Sequence, residues 1–498
     1  MRLNRMTSAL ALTLMLTACG TSVVNPVTGE AEMSAMDESA EIATGQKQHQ
    51  EILKEYGVYA NPKVQDYVNG VGQKLAAQSH RPQLTWTFTV LDSQEINAFA
   101  LPGGYVYITR GIMAYLDSEA ELAGVLGHEI GHVCARHGAQ RATRQQTAGL
   151  GVLAATVLGA VLEAKGISRA TELASQVSQT AAAGYIASYS REQESQADEL
   201  GAEYLARNQY NPQNMVDVIK VLKNQERFAA DTAKAEGKPV PSGANWLASH
   251  PSNDKRLADI EQIAAGYGGR YADDEHVRYL KTLEGVTFGD SREQGVTRGR
   301  QFYHEGLGIA LTAPHGWRIQ NAPQAITLVN DAGDAGLIVR LVPDKAGSTP
   351  EEVIRNVVKP SEGRTEKRNL NGLTALHFVG AVRNSQGQSK NVTLTIATGP
   401  GGHQYLMQYA AKDAATLQRN AAPIQEAEGS FRALTAADRV AARPWALKSV
   451  AFPRGGFAEL ARSTSLLSQQ EARLKLINGA YGEGSVDPKP GQLVKTVQ

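Results

Sequence analysis

The apolar residues of this chain follow two periods, and the change from one to the other divides it. Up to about residue 285 most apolar positions recur at helical spacing. Asn61-Pro62 opens one such stretch, with Val64, Tyr67, Val68, Val71 and Leu75 on a single face. A helix is also expected over 34–56. Ser118-x-x-Glu121 reads as a capping box ahead of Leu122, Leu126 and Val133. Ala197, Leu200, Gly201, Tyr204 and Leu205 form another face, and Asn211-Pro212 starts a helix carrying Met215, Val218, Ile219 and Leu222. Between these lie two strand patterns: the alternation of Leu84, Trp86, Phe88 and Val90, and the run 105–109. Residues 230–243, rich in Ala, Lys, Gly and Pro, read as a mobile loop.

Beyond residue 285 the period shortens. Strand-like runs appear at 307–312, 325–329, 336–342, 373–382, 391–397 and 403–409, separated by turn signals such as Asn330-Asp331-Ala332-Gly333. Helices are expected at about 350–358 and 412–430. This is an α+β domain, 300–435, with no metal or nucleophile pattern and no legible role.

The chemistry sits in the helical part. His128-Glu129-Ile130-Gly131-His132 is H-E-x-x-H. On a helix, positions i and i+4 share a face, so both imidazoles reach one metal ion and the intervening Glu reaches water bound to it. Two solvated histidines on a surface helix are the plain alternative. The helix argues against it, because Gly124, Gly127 and Gly131 line one side. Each costs about 0.5–1 kcal/mol relative to Ala, which suggests a backbone packed closely there. A hydrolytic zinc site needs a third protein ligand and an open position. Glu194 is the best candidate, since Glu194 and Asp198 continue the edge of the Ala197 face, where a buried carboxylate needs a partner. Glu192 lies off that face. Asp198 would accept the second N–H of a ligand imidazole.

His128-Glu129-x-x-His132 followed by Glu194-x-x-Ala197-Asp198 resembles the HtpX and CaaX-prenyl-endopeptidase family of zinc metalloproteases, in particular its soluble periplasmic branch. The segment 97–111, the run Gly131-His132-Val133-Cys134-Ala135-Arg136-His137, and His250-Pro251 with Arg256 are similar to further elements of that family. The resemblance covers about residues 34–265. It implies a mainly helical, gluzincin-type domain over 34–285 with a small sheet, one Zn2+ per chain, and polypeptide substrates. Misfolded envelope proteins are the class it suggests. Glu129 would be the general base. The segment 97–104 would precede or form an exposed strand that pairs with substrate backbone. By the same analogy His250 would hydrogen-bond the oxyanion or occupy the open zinc position at rest; a simple loop histidine is the alternative. His137 reads as a structural hydrogen-bonder and Arg256 as a salt-bridge residue.

The N-terminus adds a location. Arg2 and Arg5, an apolar run from Ala9 to Leu16, and Leu16-Thr17-Ala18-Cys19 make a secretory signal over 1–18 that looks like a bacterial lipobox. Cys19 would then be lipidated, with 19–33 as a tether. By analogy with enteric bacteria, Gly20 favours the outer membrane of the periplasm. A plain signal peptide with an incidental cysteine is the alternative. The second cysteine, Cys134, is expected to be a small buried hydrophobe. The stretch 148–162 has no charge but falls short of the roughly 20 residues a span needs, so a buried or site-covering helix is expected there.

Charge excludes one class of partner. The chain holds 50 basic and 50 acidic residues, so no basic field exists for nucleic acid or anionic lipid. The tail, 440–498, carries a helix signal at 457–461, an Asn478-Gly479 turn and a strand entry at Pro490-Gly491-Gln492. This order resembles a degenerate LysM module, a family that binds peptidoglycan. Its usual opening Gly-Asp-Thr is absent, so a packing module of that shape is the alternative. Against the peptidase stand a non-catalytic envelope scaffold or chaperone and a murein-binding assembly factor. A scaffold has no chemical need for Glu129; in the assembly factor proteolysis would be secondary.

Overall fold

The computed structural model describes residues 21–146, 189–237, 250 and 254–498, apart from 323–324, 384–387 and Glu483. Cys19, the stretch 148–162 and the 230–243 loop beyond Gly237 lie outside these residues. The chain divides into two compact units, one ending at Val286 and including Ala446–Gln498, the other Thr287–Trp445. The tail therefore clusters with the helical unit.

That unit opens with a hairpin, β1 (Thr21–Val24) and β2 (Ala31–Ser34), where a tether was expected. Helix α1 (Glu38–Tyr56) starts later than expected because Asp37 caps it, accepting from the Ala40 N–H. Helix α2 (Pro62–Ala76) is capped by Asn61 and buries Val64, Val68, Val71 and Leu75. Strands β3 (Thr87–Leu91), β4 (Ala98–Leu101) and β5 (Tyr105–Thr109) form a sheet in the order β3-β5-β4. β3 runs parallel and β4 antiparallel to β5, which leaves β4 at an edge. After the short α3 (Arg110–Met113) come α4 (Glu119–Cys134), α5 (Arg191–Arg207), α6 (Gln213–Ala235), α7 (Asp254–Gly266) and α8 (His276–Leu283). The first residues of the expected 230–243 loop thus continue α6.

α4 is the axis of this unit, and only Glu121 along it is less than buried. Ser118 Oγ accepts from the Glu121 N–H at 3.1 Å, and the Glu121 carboxylate accepts from the Asp117 N–H at 2.7 Å. Glu119 is held by Tyr67 and Tyr210 hydroxyls at 2.6 and 2.7 Å and by Arg278. Leu122, Leu126 and Ile130 are fully buried, each worth about 1.5–3 kcal/mol. The glycine side of α4 meets α5 almost backbone to backbone. A Cβ on Gly127 would sit 3.4 Å from Gly201 Cα, and one on Gly131 would sit 3.1 Å from the Ala197 carbonyl oxygen.

The tail supplies a strand (Trp445–Ala451), two short helices (Gly456–Leu460 and Gln470–Ile477) and a last strand (Leu493–Val497) antiparallel to the first. Its Lys495, 1% exposed, reaches the Leu116 carbonyl and lies 3.6 Å from Asp117, just ahead of α4.

The other unit holds a seven-stranded antiparallel sheet. Its order is 317–322, 325–330, 335–341, 404–411, 389–398, 373–383, 362–370. Phe302, Leu311, Leu328, Leu337, Met407 and Phe431 are among its core. Strand Glu362–Leu370 escaped the sequence reading because it is an edge strand exposed on both faces until Leu370, so nothing alternates. The helix expected over 412–430 breaks at Asn420 into Ala414–Arg419 and Ala421–Gly429.

Candidate metal centre

α4 presents His128 and His132 side by side, with Nε2 atoms 3.0 Å apart. α5 brings Glu194 to them across the glycine seam, its carboxylate oxygens 3.7 Å from His128 Nε2 and 3.5 Å from His132 Nε2. His250 completes the group. Its Nδ1 lies 3.2 Å from His128 Nε2 and 2.9 Å from Glu194 Oε1. All four residues are at most 2% exposed.

The tautomers follow from the hydrogen bonds. His137 Nε2 lies 3.0 Å from the side-chain oxygen Oε1 of Gln196, so that nitrogen carries the proton and Nδ1 is the acceptor. Burial lowers the His137 pKa to about 4, which keeps the ring neutral. His132 Nδ1, 2.8 Å away, must therefore donate to it, leaving a lone pair on His132 Nε2. His128 Nδ1 faces Asp198 Oδ1 at 2.9 Å, which leaves a lone pair on His128 Nε2 as well. Two lone pairs 3.0 Å apart repel unless a proton or a metal cation sits between them.

The donor set fits zinc. Four donors at the usual bond length of about 2.0–2.1 Å lie about 3.3–3.4 Å apart in a tetrahedron. The five separations above run from 2.9 to 3.7 Å. Three imidazole nitrogens and one carboxylate oxygen are also the ligand types zinc takes. Among the described residues these four form a group that could hold a metal ion.

Charged partners set the titration. Burial alone would lower the His128 pKa, but Asp198 and Glu194 outweigh it and raise the pKa above 6.5. His132 moves well below 6.5, through burial first and then the neighbouring histidines. Arg256 grips Asp198 with two bonds, of 2.5 and 2.7 Å, and reaches Glu194 at 3.0 Å and the His250 carbonyl at 3.3 Å. Burial raises the pKa of Asp198, yet Arg256 dominates and brings it down to about 2. Glu194 is likewise lowered on balance, against the cost of burial, by His250, His128 and Arg256. Both carboxylates stay ionised.

Glu129 is fully buried, its Oε1 3.7 Å from His250 Nε2. The residues picked out in the sequence thus come together, while Glu192 stays exposed at the start of α5. Two participants were not foreseen. Tyr189 stacks on His132 with ring centroids 4.1 Å apart, and Gln196 fixes His137. Neither falls on an apolar period or in a motif, so only the assembled site reveals them. Cys134 is buried and free, as expected. Among the described residues no helix is long and apolar enough to cross a membrane.

Fold and site together define a class: the chain carries a metallopeptidase domain. Residues 62–264 match the model of Peptidase family M48. The beta-barrel assembly-enhancing protease of Yersinia pestis is 31% identical over 204 residues, covering 41% of this chain and 40% of that protein. Its Escherichia coli (strain K12) namesake is 29% identical over 208 residues, covering 41% and 39%. Mitochondrial metalloendopeptidase OMA1 of Schizosaccharomyces pombe is 28% identical over 242 residues, covering 48% and 65%. The chain spans about two fifths of the length of the first two relatives. These relatives bear assembly-enhancing and OMA1 names rather than HtpX or CaaX-endopeptidase ones, and the similarity to the M48 metallopeptidases is confined to residues 62–264.

Proposed function

We propose that this chain is a zinc-dependent endopeptidase, lipid-anchored through Cys19 on the periplasmic side of a bacterial outer membrane, that cuts misassembled envelope proteins. The convergence of His128, His132, Glu194 and His250 beside the buried Glu129 carries the reading. The names of the bacterial relatives favour envelope proteins as substrates. The reading keeps the chain in the soluble, lipid-anchored branch of the HtpX-like enzymes.

Zinc bound by His128, His132 and Glu194 would polarise the scissile carbonyl and acidify a water. The remaining work falls to the chain. Asp198, clamped by Arg256, keeps the His128 proton on Nδ1. Gln196, through His137, keeps the His132 proton on Nδ1. Glu129 takes the proton of the attacking water and returns it to the leaving amine. The edge strand β4 offers unpaired backbone groups to an extended substrate, which gives affinity with little sequence preference. His250 would offer a fourth donor at rest. A catalytic site needs that position open, so on substrate binding His250 would give it up and face the oxyanion. The β-α-α-β order of the tail suits a LysM-like packing module; glycan retention by the full chain on murein would extend its role.

The test is Glu129→Gln. It should bind about one zinc per chain, as a three-ligand site would, and lose casein cleavage. Full activity in that variant overturns the mechanism.

A further inference from the structure

The hairpin at the start of the described chain is bonded to the far end of the metal-binding helix. Asn25, 1% exposed, donates from Nδ2 to the Ala135 carbonyl at 3.2 Å. Gln140 Nε2 donates to Glu32 at 3.0 Å, and the Ala35 N–H donates to Thr143 Oγ1 at 2.9 Å. Arg136 donates to the Met36 carbonyl at 2.6 Å. Ala135 lies three residues past His132, about 4.5 Å along a helix axis. The hairpin is therefore a fixed part of the site's surroundings.

Its two faces differ. The register pairs Ser22 with Met33 and Val24 with Ala31, which puts these four residues on one face. The opposite face carries Glu32 and Ser34, turned to the protein. The first face has no ionisable side chain, and on it Val24 is 62% and Met33 65% exposed. Isolated exposed apolar residues are ordinary. Here they stand beside the lipobox cysteine. One residue, Gly20, separates Cys19 from Thr21. Two residue steps reach at most about 7 Å, so a lipid on Cys19 brings this hairpin to the membrane surface, and of its two faces the uncharged one is, among the described residues, the one free of bonds to the protein. No other partner is so placed by the chain itself.

We propose that the uncharged face of the Thr21–Ser34 hairpin rests on a phospholipid surface. It thereby holds the His128–Glu129–His132 site at a short fixed distance from the bilayer, so that its substrates are polypeptide segments held at that surface. This rests on the lipid-anchored peptidase reading given above. Recognition of such substrates comes from co-localisation, where a short linker gives a high effective concentration that falls as the linker lengthens.

The experiment uses the full lipidated chain in phosphatidylethanolamine/phosphatidylglycerol vesicles. A thiol-reactive fluorophore is placed at Met33→Cys or, as control, at Lys220→Cys on α6; Cys134 is buried and Cys19 is acylated. Brominated phospholipid should quench the label at position 33 and leave that at 220 unchanged. Equal quenching, or none, overturns the contact. A second variant carries about 20 Gly/Ser residues between Gly20 and Thr21, which lengthens the leash by about 25 Å. It should cleave dissolved casein at the unchanged rate and a reporter tethered to the vesicle about tenfold more slowly. Equal rates on the reporter overturn the substrate assignment. Failure of both forms on casein, with quenching at position 33 intact, would instead strike the peptidase reading, and the membrane contact would stand.

Discussion

The glycine seam makes a sharp prediction. Gly131 lies between Glu129 and His132, and a Cβ there would meet the Ala197 carbonyl oxygen and Leu200 Cβ, both at 3.1 Å. Ordinary contacts are a few tenths of an ångström longer, so Gly131→Ala must push α5 away by about that amount. Overpacking costs about 1–3 kcal/mol, and the helix propensity gained returns about 1 kcal/mol. The fold should survive with a loss of about 0–2 kcal/mol. The site should not fare as well. Glu194 rides on α5 one turn before Ala197, and ligand distances tolerate only about ±0.2 Å. Zinc affinity should therefore drop roughly 10- to 100-fold, the range seen when supporting contacts are lost. The matched control is Gly70→Ala on α2, where a Cβ would touch nothing within 4 Å; it should gain about 0.5–1 kcal/mol and leave zinc binding alone. Thermal melts of the metal-free proteins and competition against a chromogenic chelator read both quantities. If Gly131→Ala gains stability like Gly70→Ala and keeps its zinc affinity, the seam does not set the position of Glu194.

Two further outcomes are expected. Gln196→Leu frees the His137 ring to change tautomer and should weaken zinc binding about 10- to 100-fold, while leaving the melting temperature within a few degrees; unchanged zinc affinity would refute the relay. Glu121 is partly exposed as a residue, but its carboxyl group is folded back out of water against Asp117; that desolvation, followed by the Asp117 charge, raises its pKa from 4.5 to about 8. Between those values the folded chain keeps a proton that the unfolded chain releases, so stability falls as pH rises through that window. Glu121→Gln should flatten that slope by a few kcal/mol; denaturant melts at pH 5 and 8 with an undiminished difference would show that Glu121 is not its source.

Much of the site was legible because its chemistry is local. Four residues of one helix turn fix the spacing of His128 and His132, and a capping serine fixes where that helix starts. Gly124, Gly127 and Gly131 announced a close neighbour, and that neighbour is α5 with its own Gly201 and the side chain of Met215 from α6. Other features left no local trace. Tyr189 and Gln196 matter only once α5 lies beside α4. The polar edge strand 362–370 has no buried face to pattern it. The hairpin at 21–34 contains too few apolar residues to alternate, and its hold on the chain comes from side-chain bonds to residues more than 100 positions away.

By itself, then, the sequence determined the helix that carries two imidazoles and a carboxylate, because i, i+4 geometry follows from the backbone alone. It also pointed to Glu194 as the third donor, through the polar edge of an apolar face. Tertiary structure alone decided which nitrogen of each ring faces its neighbour, that His250 joins the His128, His132 and Glu194 cluster, and that Arg256 binds both carboxylates. Those choices depend on distances between segments 56 to 122 residues apart, and no periodicity along a chain encodes the distance between two of its faces.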